Sequence, residues 1–163
     1  MNIEIILVNK EEKEILRNLL EKYEYEFSQY NQRDVNDLGL FGYDYLDSYW
    51  LEESRFPYFI RVDKKLVGFI LINDYRELHV ETAYSVAEFF ILYKYRKMGA
   101  GKFAVQYLFK KYKGKWQLTY LPENETSKIF WNKVVNEYTR GTYEIHKIKS
   151  KYGTAEEVLV FET

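Results

Sequence analysis

The sequence predicts a mixed α/β (α+β) domain over residues 1–163, with a central sheet of about six to seven strands and flanking helices. The 163 residues are enough to form one hydrophobic core. Short runs of β-branched and aromatic residues alternate with segments whose apolar residues recur every third or fourth position. One strand–helix–strand crossover, at 84–121, implies a pair of parallel strands.

The first third of the chain predicts one strand, one long helix and an irregular segment. The run "NIEIILV" reads as a short strand, and Asn9 with Glu12 forms a capping-box pattern that starts a helix. The apolar side chains of that helix keep the helical spacing: Ile15, Leu16, Leu19, Leu20, Tyr23, Phe27 and Tyr30. The stretch 31–55 is rich in aromatic and acidic residues, and we expect a loop with one short helix there.

The remaining elements continue the alternation. "FPYFIRV" and "LVGFILI" predict two strands joined by the polar turn "DKK", with a bulge at Gly68. Strand 84–93, "YSVAEFFILY", is apolar on both faces and is therefore predicted to be central. Helix 101–112 and strand 116–121 follow it, and Asn124 predicts the start of another helix. "TYEIHKI" and "EEVLVF" predict two closing strands.

Composition excludes several kinds of site. The chain has no cysteine, which excludes disulfides, thiolate metal sites and cysteine nucleophiles. His79 and His146 form no cluster, so no metal is expected, and no Gly-x-Ser-x-Gly hydrolase motif occurs. There is no apolar run of transmembrane length, and the N-terminus lacks a basic region followed by a long apolar one. We therefore expect a soluble, cytoplasmic protein with no membrane partner.

Charge is unevenly distributed, although the net charge is −1. Residues 11–53 carry twelve acidic and four basic side chains, whereas residues 94–115 carry eight basic and no acidic ones. The first segment therefore favours a cationic partner and the second an anionic one. The alternative interpretation is that both segments are solvated helix faces.

The segment Tyr93 to Lys102, "YKYRKMGAGK", combines two glycines with four cations between a strand and a helix. The first turn of a helix has unpaired N–H groups and the positive end of the helix dipole, and glycine lets a phosphate approach the backbone. The segment therefore predicts a phosphate or pyrophosphate site. The alternative is a basic loop that uses glycine only to change direction.

Two common phosphate motifs fit this segment poorly. A Walker P-loop requires glycine at position 96 and serine or threonine at position 103, where this chain has Arg96 and Phe103. The dinucleotide pattern Gly-x-Gly-x-x-Gly/Ala is met by Gly99, Gly101 and Ala104. However, too few residues follow Ala104 to complete a doubly wound sheet.

A third motif matches better. Arg96-x-x-Gly99-x-Gly101, after a central strand and at the start of a helix, resembles the acetyl-CoA-binding motif of the GNAT superfamily of N-acetyltransferases. "WQLTYLPENETSKIFWNKV" resembles the strand and helix that follow in that superfamily, with Asn124, Ser127 and an aromatic pair at Phe130 and Trp131. The order of elements resembles the GNAT fold over nearly the whole chain, and "AEFFILYKYRKMGAGK" is similar to a bacterial predicted-acetyltransferase subgroup.

The resemblance implies acetyl-CoA as the co-substrate. Strands 84–93 and 116–121 would splay apart to admit the pantetheine arm, which would pair with the backbone of 91–93, while a backbone N–H near Leu92 would stabilise the oxyanion. Asn124 would reach the pantetheine, and Trp131 would lie near the thioester. The implied cofactor-binding residues are therefore Ile91, Leu92, Tyr93, Arg96, Lys97, Met98, Gly99, Ala100, Gly101, Lys102, Asn124 and Trp131.

Glu88 is the candidate general base. It lies within "VAEFFILY", with apolar neighbours on both sides and close to the implied thioester site. A carboxylate in such surroundings is unfavourable unless it is paired or used in chemistry, and burial would raise its pKa toward a value suited to a base. The alternative is a core glutamate hydrogen-bonded to a tyrosine or an arginine.

The general acid is missing from its usual place. Many GNAT enzymes carry a tyrosine seven residues after the helix-capping asparagine, and counting from Asn124 gives Trp131. A thiolate whose pKa is about 8.5 can leave without a proton donor. Tyr138, on the same helix face, is a candidate substitute or alternatively a core residue. Asn124 has the alternative role of a plain N-cap.

The fold implied by the resemblance places the acceptor pocket in the segment from Tyr23 to Trp50. Aspartates 34, 37, 44 and 47 are interspersed there with aromatic rings, a combination that suits a protonated amine. The expected acceptor is a primary amine of a small molecule or peptide, such as a polyamine-like compound or an amino sugar. The alternative is a solvated acidic loop.

Two other functions stay open on this sequence. One is a non-catalytic acyl-CoA-binding or sensing module on the same fold. The other is an RNA-binding module that uses the basic 94–115 segment, against which the near-neutral net charge argues. We expect no nucleic-acid partner, and a monomer or homodimer.

Overall fold

Seven strands and four helices make up the structure, a computed structural model that describes residues 1–163. In chain order they are β1 (Ile3–Leu7), α1 (Lys13–Asn31), α2 (Ser48–Leu51), β2 (Phe56–Val62), β3 (Lys65–Asn73), β4 (Tyr84–Ile91), α3 (Ala100–Lys111), β5 (Lys115–Tyr120), α4 (Glu125–Thr139), β6 (Tyr143–Lys149) and β7 (Ala155–Glu162). Two 3₁₀ turns lie at Lys10–Glu12 and Tyr93–Tyr95.

All seven strands form one mixed sheet in the order β1-β2-β3-β4-β5-β7-β6. The pair β4–β5 is parallel, and every other neighbouring pair is antiparallel. Helices α1 and α2 cover one face of the sheet, and α3 and α4 cover the other. This architecture confirms the predicted fold class. None of the helices combines the length and the hydropathy needed to span a bilayer.

The local signals that start α1 and join β2 to β3 work as predicted. Glu12 accepts a hydrogen bond from the N–H of Asn9 at 3.2 Å, which completes the capping box before α1. Asp63 and Lys64 both adopt positive φ, 48° and 68°, as the two central residues of a type I′ hairpin turn require. A bulge was expected at Gly68, but the extra residue is Val67. Ile60 pairs with Gly68 and the next residue, Arg61, pairs with Leu66.

A second bulge, at Ala87 in β4, decides which way Glu88 points. The β3–β4 register jumps from Leu71–Glu88 to Ile72–Val86, so Ala87 is the extra residue. Val86 packs with the core under α3 and α4, and strict alternation would send Glu88 to the same face. The bulge instead turns Glu88 to the α1 face, where Leu71 and Phe90 also pack.

Strands β4 and β5 are paired over only three residues, Tyr84–Val86 against Trp116–Leu118. Beyond these rungs, β4 runs on to Ile91 and β5 to Tyr120 with no hydrogen bond between them. The predicted splay between the two strands is therefore present. Strand β4 ends two residues earlier than predicted, because Tyr93 begins the 3₁₀ turn, in which the Tyr95 N–H bonds the Leu92 carbonyl at 2.9 Å.

Candidate active site

A cleft of about 560 Å³ opens on the α1 face of the sheet, beside the gap between β4 and β5. Its size lies within the range of small-molecule sites in proteins. Its floor comes from β3, β4, β5 and β7, and its walls come from α1 and five loops. The lining side chains that bear on chemistry are Tyr23, Glu24, Tyr43, Tyr45, Glu77, Glu88 and Glu156.

Glu88, on β4, lies in the floor of this cleft and is half-buried. The Tyr43 hydroxyl donates a hydrogen bond to its Oε1 at 3.3 Å. Burial raises the pKa of Glu88 to about 7, and the hydroxyl groups of Tyr23 and Tyr43 offset part of that rise. The carboxylate thus has the pKa expected of a general base, while the tyrosine hydrogen bond of the alternative interpretation is also present.

The turn before α3 presents six consecutive main-chain N–H groups, Lys97 to Lys102, that no protein group accepts. Lys97 and Gly99 adopt positive φ, 60° and 88°, and this turns successive amides toward solvent. The space beside Gly99 is open, since a Cβ atom there would meet nothing within 4 Å. This arrangement of open amides at a helix N-terminus fits an anionic group such as a pyrophosphate.

The other residues of this turn have different roles. A Cβ atom on Gly101 would lie 3.0 Å from the Phe89 ring, so this glycine is needed for close packing of α3 on β4. Ala100 is fully buried in the core, whereas the Met98 side chain is about half exposed. Of the two glycines, only Gly99 therefore leaves open space beside its backbone.

Two of the four cations expected to attract the anion are already paired with carboxylates. The Arg96 guanidinium donates to both oxygens of Glu26, at 2.9 and 2.7 Å, and its Nε donates to the Ile91 carbonyl at 2.7 Å. Lys102 forms an ion pair with Glu137. Lys94 and Lys97 have no carboxylate partner. The free amides, and not a ring of free cations, are thus the feature of this turn that suits an anion.

The backbone that was expected to pair with pantetheine is only partly available. The Leu92 N–H donates to the Val67 carbonyl at 2.8 Å, so it does not face the gap. That bond makes Ile91 and Gly68 a non-hydrogen-bonded pair, and the Ile91 N–H therefore points away from β3, toward the gap. The N–H of Tyr93 also has no acceptor. The open donors at the strand end are those of Ile91 and Tyr93, which corrects the expectation for Leu92.

Asn124 and Trp131 both have structural roles. The Asn124 side chain accepts the Ser127 N–H at 3.2 Å, which is the N-cap interaction of α4. Trp131 is 6% exposed and packs against the rings of Phe89 and Phe130, with centroids 5.2 and 4.9 Å away. The indole is therefore a core group beneath β4 and does not line the cleft.

Tyr138, the candidate substitute acid, is separated from Glu88. Its hydroxyl accepts a hydrogen bond from Lys113 at 2.9 Å, and its ring packs edge-on against Phe109 at 5.3 Å. Phe109 in turn contacts Trp116, at the end where β4 and β5 are still paired. Tyr138 does not line the cleft, so the structure favours the alternative of a core residue.

The four aspartates predicted for the acceptor pocket are mostly absent from the cleft, and glutamates line it instead. Among the four aspartates, only Asp44 borders it, in an adjoining depression, and Asp47 pairs with Lys13 at 2.8 Å. The acids that line it, besides Glu88, are Glu24, Glu77 and Glu156. One Glu156 oxygen is buried without a partner, and burial raises the pKa of this residue.

Glu24 could have been found in the sequence. It follows Leu16 and Leu20 at four-residue spacing, so it lies on the apolar face of α1, and it is 6% exposed. Arg33 pairs with it at 3.0 Å, yet burial still raises its pKa. Glu77 and Glu156 come from a loop and from β7, and their proximity could not be read from spacing.

Several solved structures share this fold. An acetyltransferase from Thermus thermophilus is 12% identical, with 100% of this chain and 98% of that one covered and a TM-score of 0.69. The Salmonella typhimurium acetyl transferase that modifies the N-terminal serine of ribosomal protein L7/L12 is 11% identical, with 100% and 96% covered and a TM-score of 0.69. RimL, a ribosomal L7/L12 α-N-protein acetyltransferase solved with coenzyme A, is 10% identical, with 99% and 94% covered and a TM-score of 0.67.

At these identities the similarity shows the fold alone, and no curated protein matches the chain in sequence. The sequence model of the acetyltransferase (GNAT) family, however, matches residues 13–135. That match spans most of the chain and includes α1, Glu88, the open amides and most of α4. The chain belongs to the GNAT family of acetyltransferases.

Proposed function

We propose that this protein transfers the acetyl group of acetyl-CoA to a primary amine of a small molecule or peptide, by direct attack of the amine on the thioester. The observation that carries the proposal is Glu88, a cleft-lining carboxylate whose pKa is raised to about 7. It lies on β4, and the open amides of Lys97 to Lys102 follow β4 after the 3₁₀ turn Tyr93–Tyr95, so the base and the anion-binding turn belong to one continuous stretch of chain.

The residues present fit coenzyme A. The amides of Lys97 to Lys102 would hold its pyrophosphate, and Lys94 and Lys97 would add charge. The gap between β4 and β5 would admit pantetheine as an added strand, bonded to the backbone at Ile91 and Tyr93. When bound, the coenzyme supplies an activated acetyl group on a thiol leaving group.

In the reaction, Glu88 takes a proton from the incoming ammonium group, so that the nitrogen has a free electron pair. A carbon–nitrogen bond then forms as the carbon–sulfur bond of the thioester breaks, and the electrons of that bond leave on sulfur. The nitrogen then gives its second proton to the departed thiolate, which leaves a neutral amide and a thiol. The Ile91 N–H, which points toward the gap, would stabilise the developing oxyanion. With Trp131 in the core and Tyr138 remote, we assign no side chain as the acid, and the thiolate, with a pKa near ~8.5, leaves unassisted.

A cationic acceptor suits the cleft. Its carboxylates Glu24, Glu77, Glu88 and Glu156 face a space bordered by tyrosine rings. Carboxylates and aromatic faces both attract protonated amines, and the combination selects against anionic acceptors. The Salmonella structural relative modifies a protein N-terminus. A peptide amine is accordingly one acceptor to test, beside diamines and amino sugars.

The test is a thiol-release assay with an amine library, run on the parent and on Glu88→Gln. We expect the variant to lose roughly 10²- to 10⁴-fold in kcat, the usual contribution of a general base, while its affinity for acetyl-CoA is unchanged. Glu14→Gln, an exposed glutamate of the same charge, is the control. Equal turnover in parent and Glu88→Gln across pH would contradict the assignment of the base.

The non-catalytic sensing module is a second candidate, and the Tyr43–Glu88 hydrogen bond favours it. In that case Glu88 would be a satisfied structural group. The protein would then bind acetyl-CoA in calorimetry, yet show no thiol release with any amine of the library. Glu88→Gln would alter stability and nothing else.

A further inference from the structure

The irregular segment from Gln32 to Asp47 brings to the cleft a hydroxyl that contacts the proposed base. Tyr43, in this segment, donates to Glu88 and lines the cleft. Segments of this length without regular structure are ordinarily among the more mobile parts of a protein. A defined Tyr43–Glu88 contact therefore requires that something fix the backbone beside Tyr43.

Glu21 of α1 meets that requirement. Its two carboxylate oxygens accept the N–H groups of Phe41 and Gly42, at 2.7 and 2.9 Å, directly before Tyr43. Gly42 has a φ of 72°, a conformation that lets two successive N–H groups converge on one anion. Hydrogen bonds to an ionised carboxylate are about twice as strong as neutral ones, so this is a firm attachment.

The rest of the segment is tied down in the same neighbourhood. Arg33 donates to the Phe41 carbonyl at 2.8 Å and to Glu24 at 3.0 Å, so the same peptide is held on both sides. The Asn36 side chain accepts the N–H groups of Leu38 and Leu40 at 2.9 and 3.0 Å, which closes the tip of the loop. Glu21 thus anchors a loop that is already folded on itself.

We propose that Glu21 is a positioning residue, which holds the backbone at Phe41 and Gly42 and thereby keeps Tyr43 against Glu88 and the cleft closed on that side. This role rests on the proposed function, in which Glu88 is the base. Glu21 itself does not line the cleft and does not touch Glu88.

The consequence for Glu88 has a definite sign. The titratable and charged groups around it are Tyr23 and Glu24 from α1, Arg33, Tyr43, Asp44 and Tyr45 from the loop, and Tyr49 from α2. Burial is the largest cause of its raised pKa. If the loop detaches, the loss of the Tyr43 hydrogen bond acts to raise the pKa, whereas the entry of water removes the larger effect of burial, so the net change is a fall toward the ordinary value of 4.5.

The experiment compares Glu21→Ala with Glu14→Ala, a matched removal of an exposed α1 glutamate that bonds only Arg17. The readouts are the titration midpoint of the Glu88 carboxyl carbon by NMR, the hydrogen exchange of the Phe41 and Gly42 amides, and the pH profile of kcat/KM. We expect Glu21→Ala to lower the Glu88 midpoint by about one pH unit, speed both amides at least tenfold, and lower kcat about tenfold. Glu14→Ala should change none of them.

A Glu21→Ala protein that is less stable but keeps the parent Glu88 midpoint and pH profile would overturn the proposal. If the alanine variant does not fold, Glu21→Gln, which keeps one acceptor, should show the same shifts at smaller size, and parent values in it would also overturn the proposal. The NMR midpoint needs no turnover. If Glu21→Ala shifts the Glu88 midpoint but the parent shows no turnover, only the proposed function is contradicted. If the parent is active but Glu21→Ala leaves the midpoint unchanged, only the role of Glu21 is contradicted.

Discussion

Two irregular segments border the cleft and the gap beside it, and they use their main-chain N–H groups in opposite ways. In the turn before α3, the amides of Lys97 to Lys102 have no acceptor in the protein. In the loop 32–47, the amides of Leu38, Leu40, Phe41 and Gly42 are taken up by Asn36 and Glu21. A backbone N–H that loses contact with water needs a hydrogen-bond acceptor. The turn before α3 is therefore suited to bind a ligand that supplies acceptors, whereas the loop 32–47, whose N–H groups are already bonded, is suited to form a fixed wall of the cleft.

The largest expected effect concerns Glu88, whose carboxylate is contacted by Tyr43 of the loop 32–47. The Glu88 pKa of about 7 lies above its ordinary 4.5, so between these pH values the folded protein holds a proton that the unfolded chain releases. The contribution of Glu88 to stability is therefore unchanged below pH 4.5, falls as the pH rises through this window, and is constant above about 7.

Urea unfolding at pH 5 and pH 8 measures this. From pH 5 to 8 the parent should lose up to about 3 kcal/mol more stability than Glu88→Gln, whose side chain cannot ionise. An equal pH dependence in the two proteins would show that the wall does not keep water from Glu88.

A matched pair of glycine substitutions tests the contrast directly. Gly99 and Gly42 have φ values of 88° and 72°, and a Cβ atom on either would meet nothing within 4 Å. Gly99→Val and Gly42→Val should therefore strain the backbone similarly, by roughly 1–2 kcal/mol. We expect Gly99→Val to weaken acetyl-CoA binding about tenfold or more, and Gly42→Val to leave it unchanged while lowering kcat. Isothermal titration with acetyl-CoA gives the first value, and the thiol-release assay gives the second. A loss of acetyl-CoA affinity in both variants would contradict the assignment of coenzyme binding to the turn before α3 alone.

The starts of α3 and α4 offer a smaller version of the same contrast, because α4 is capped by Asn124 and α3 has no side-chain cap. Asn124→Ala should lower the free energy of unfolding by about 1 kcal/mol, the usual value of an N-cap. If capping is its only role, the KM for acetyl-CoA will equal that of the parent. A raised KM with little loss of stability would show instead that Asn124 reaches the coenzyme.

The smallest effect is expected at Tyr138, which lies away from both segments. Tyr138→Phe removes one hydroxyl that accepts from a surface lysine, so stability should change by less than about 0.5 kcal/mol and kcat should not change. The control is Tyr43→Phe, which removes the donor to Glu88 and should lower kcat. A substantial loss of kcat in Tyr138→Phe would restore Tyr138 as a candidate acid.

The sequence predicts those parts of the molecule that depend on local rules. Strand and helix periods, the capping box at Asn9 and the hairpin turn all follow from neighbouring residues, and so does the basic glycine turn. Glu88 was identifiable because a carboxylate stood in an apolar run. Its direction was not, because that depends on the Ala87 bulge, and a bulge is set by how β4 pairs with β3.

The remaining differences come from contacts between distant residues. Arg96 was expected to face an anion, but its partner Glu26 lies 70 residues earlier in the chain and meets it only in the fold. The Leu92 N–H is likewise taken by Val67 of the neighbouring strand. Glu77 and Glu156 join the cleft from two elements with no shared pattern. Such pairings require the sheet order, which no local periodicity contains.

The short ladder between β4 and β5 has a mechanical consequence. Three rungs are all that joins strands β1 to β4 with strands β5 to β7 along the sheet itself. An extended molecule bound in the gap would form hydrogen bonds with β4 and β5 where the two strands do not pair with each other. The two halves of the sheet would then slide past each other less easily. The core beneath α3 and α4 already joins the two half-sheets, so a bound co-substrate would add to their rigidity along the sheet without being its only source.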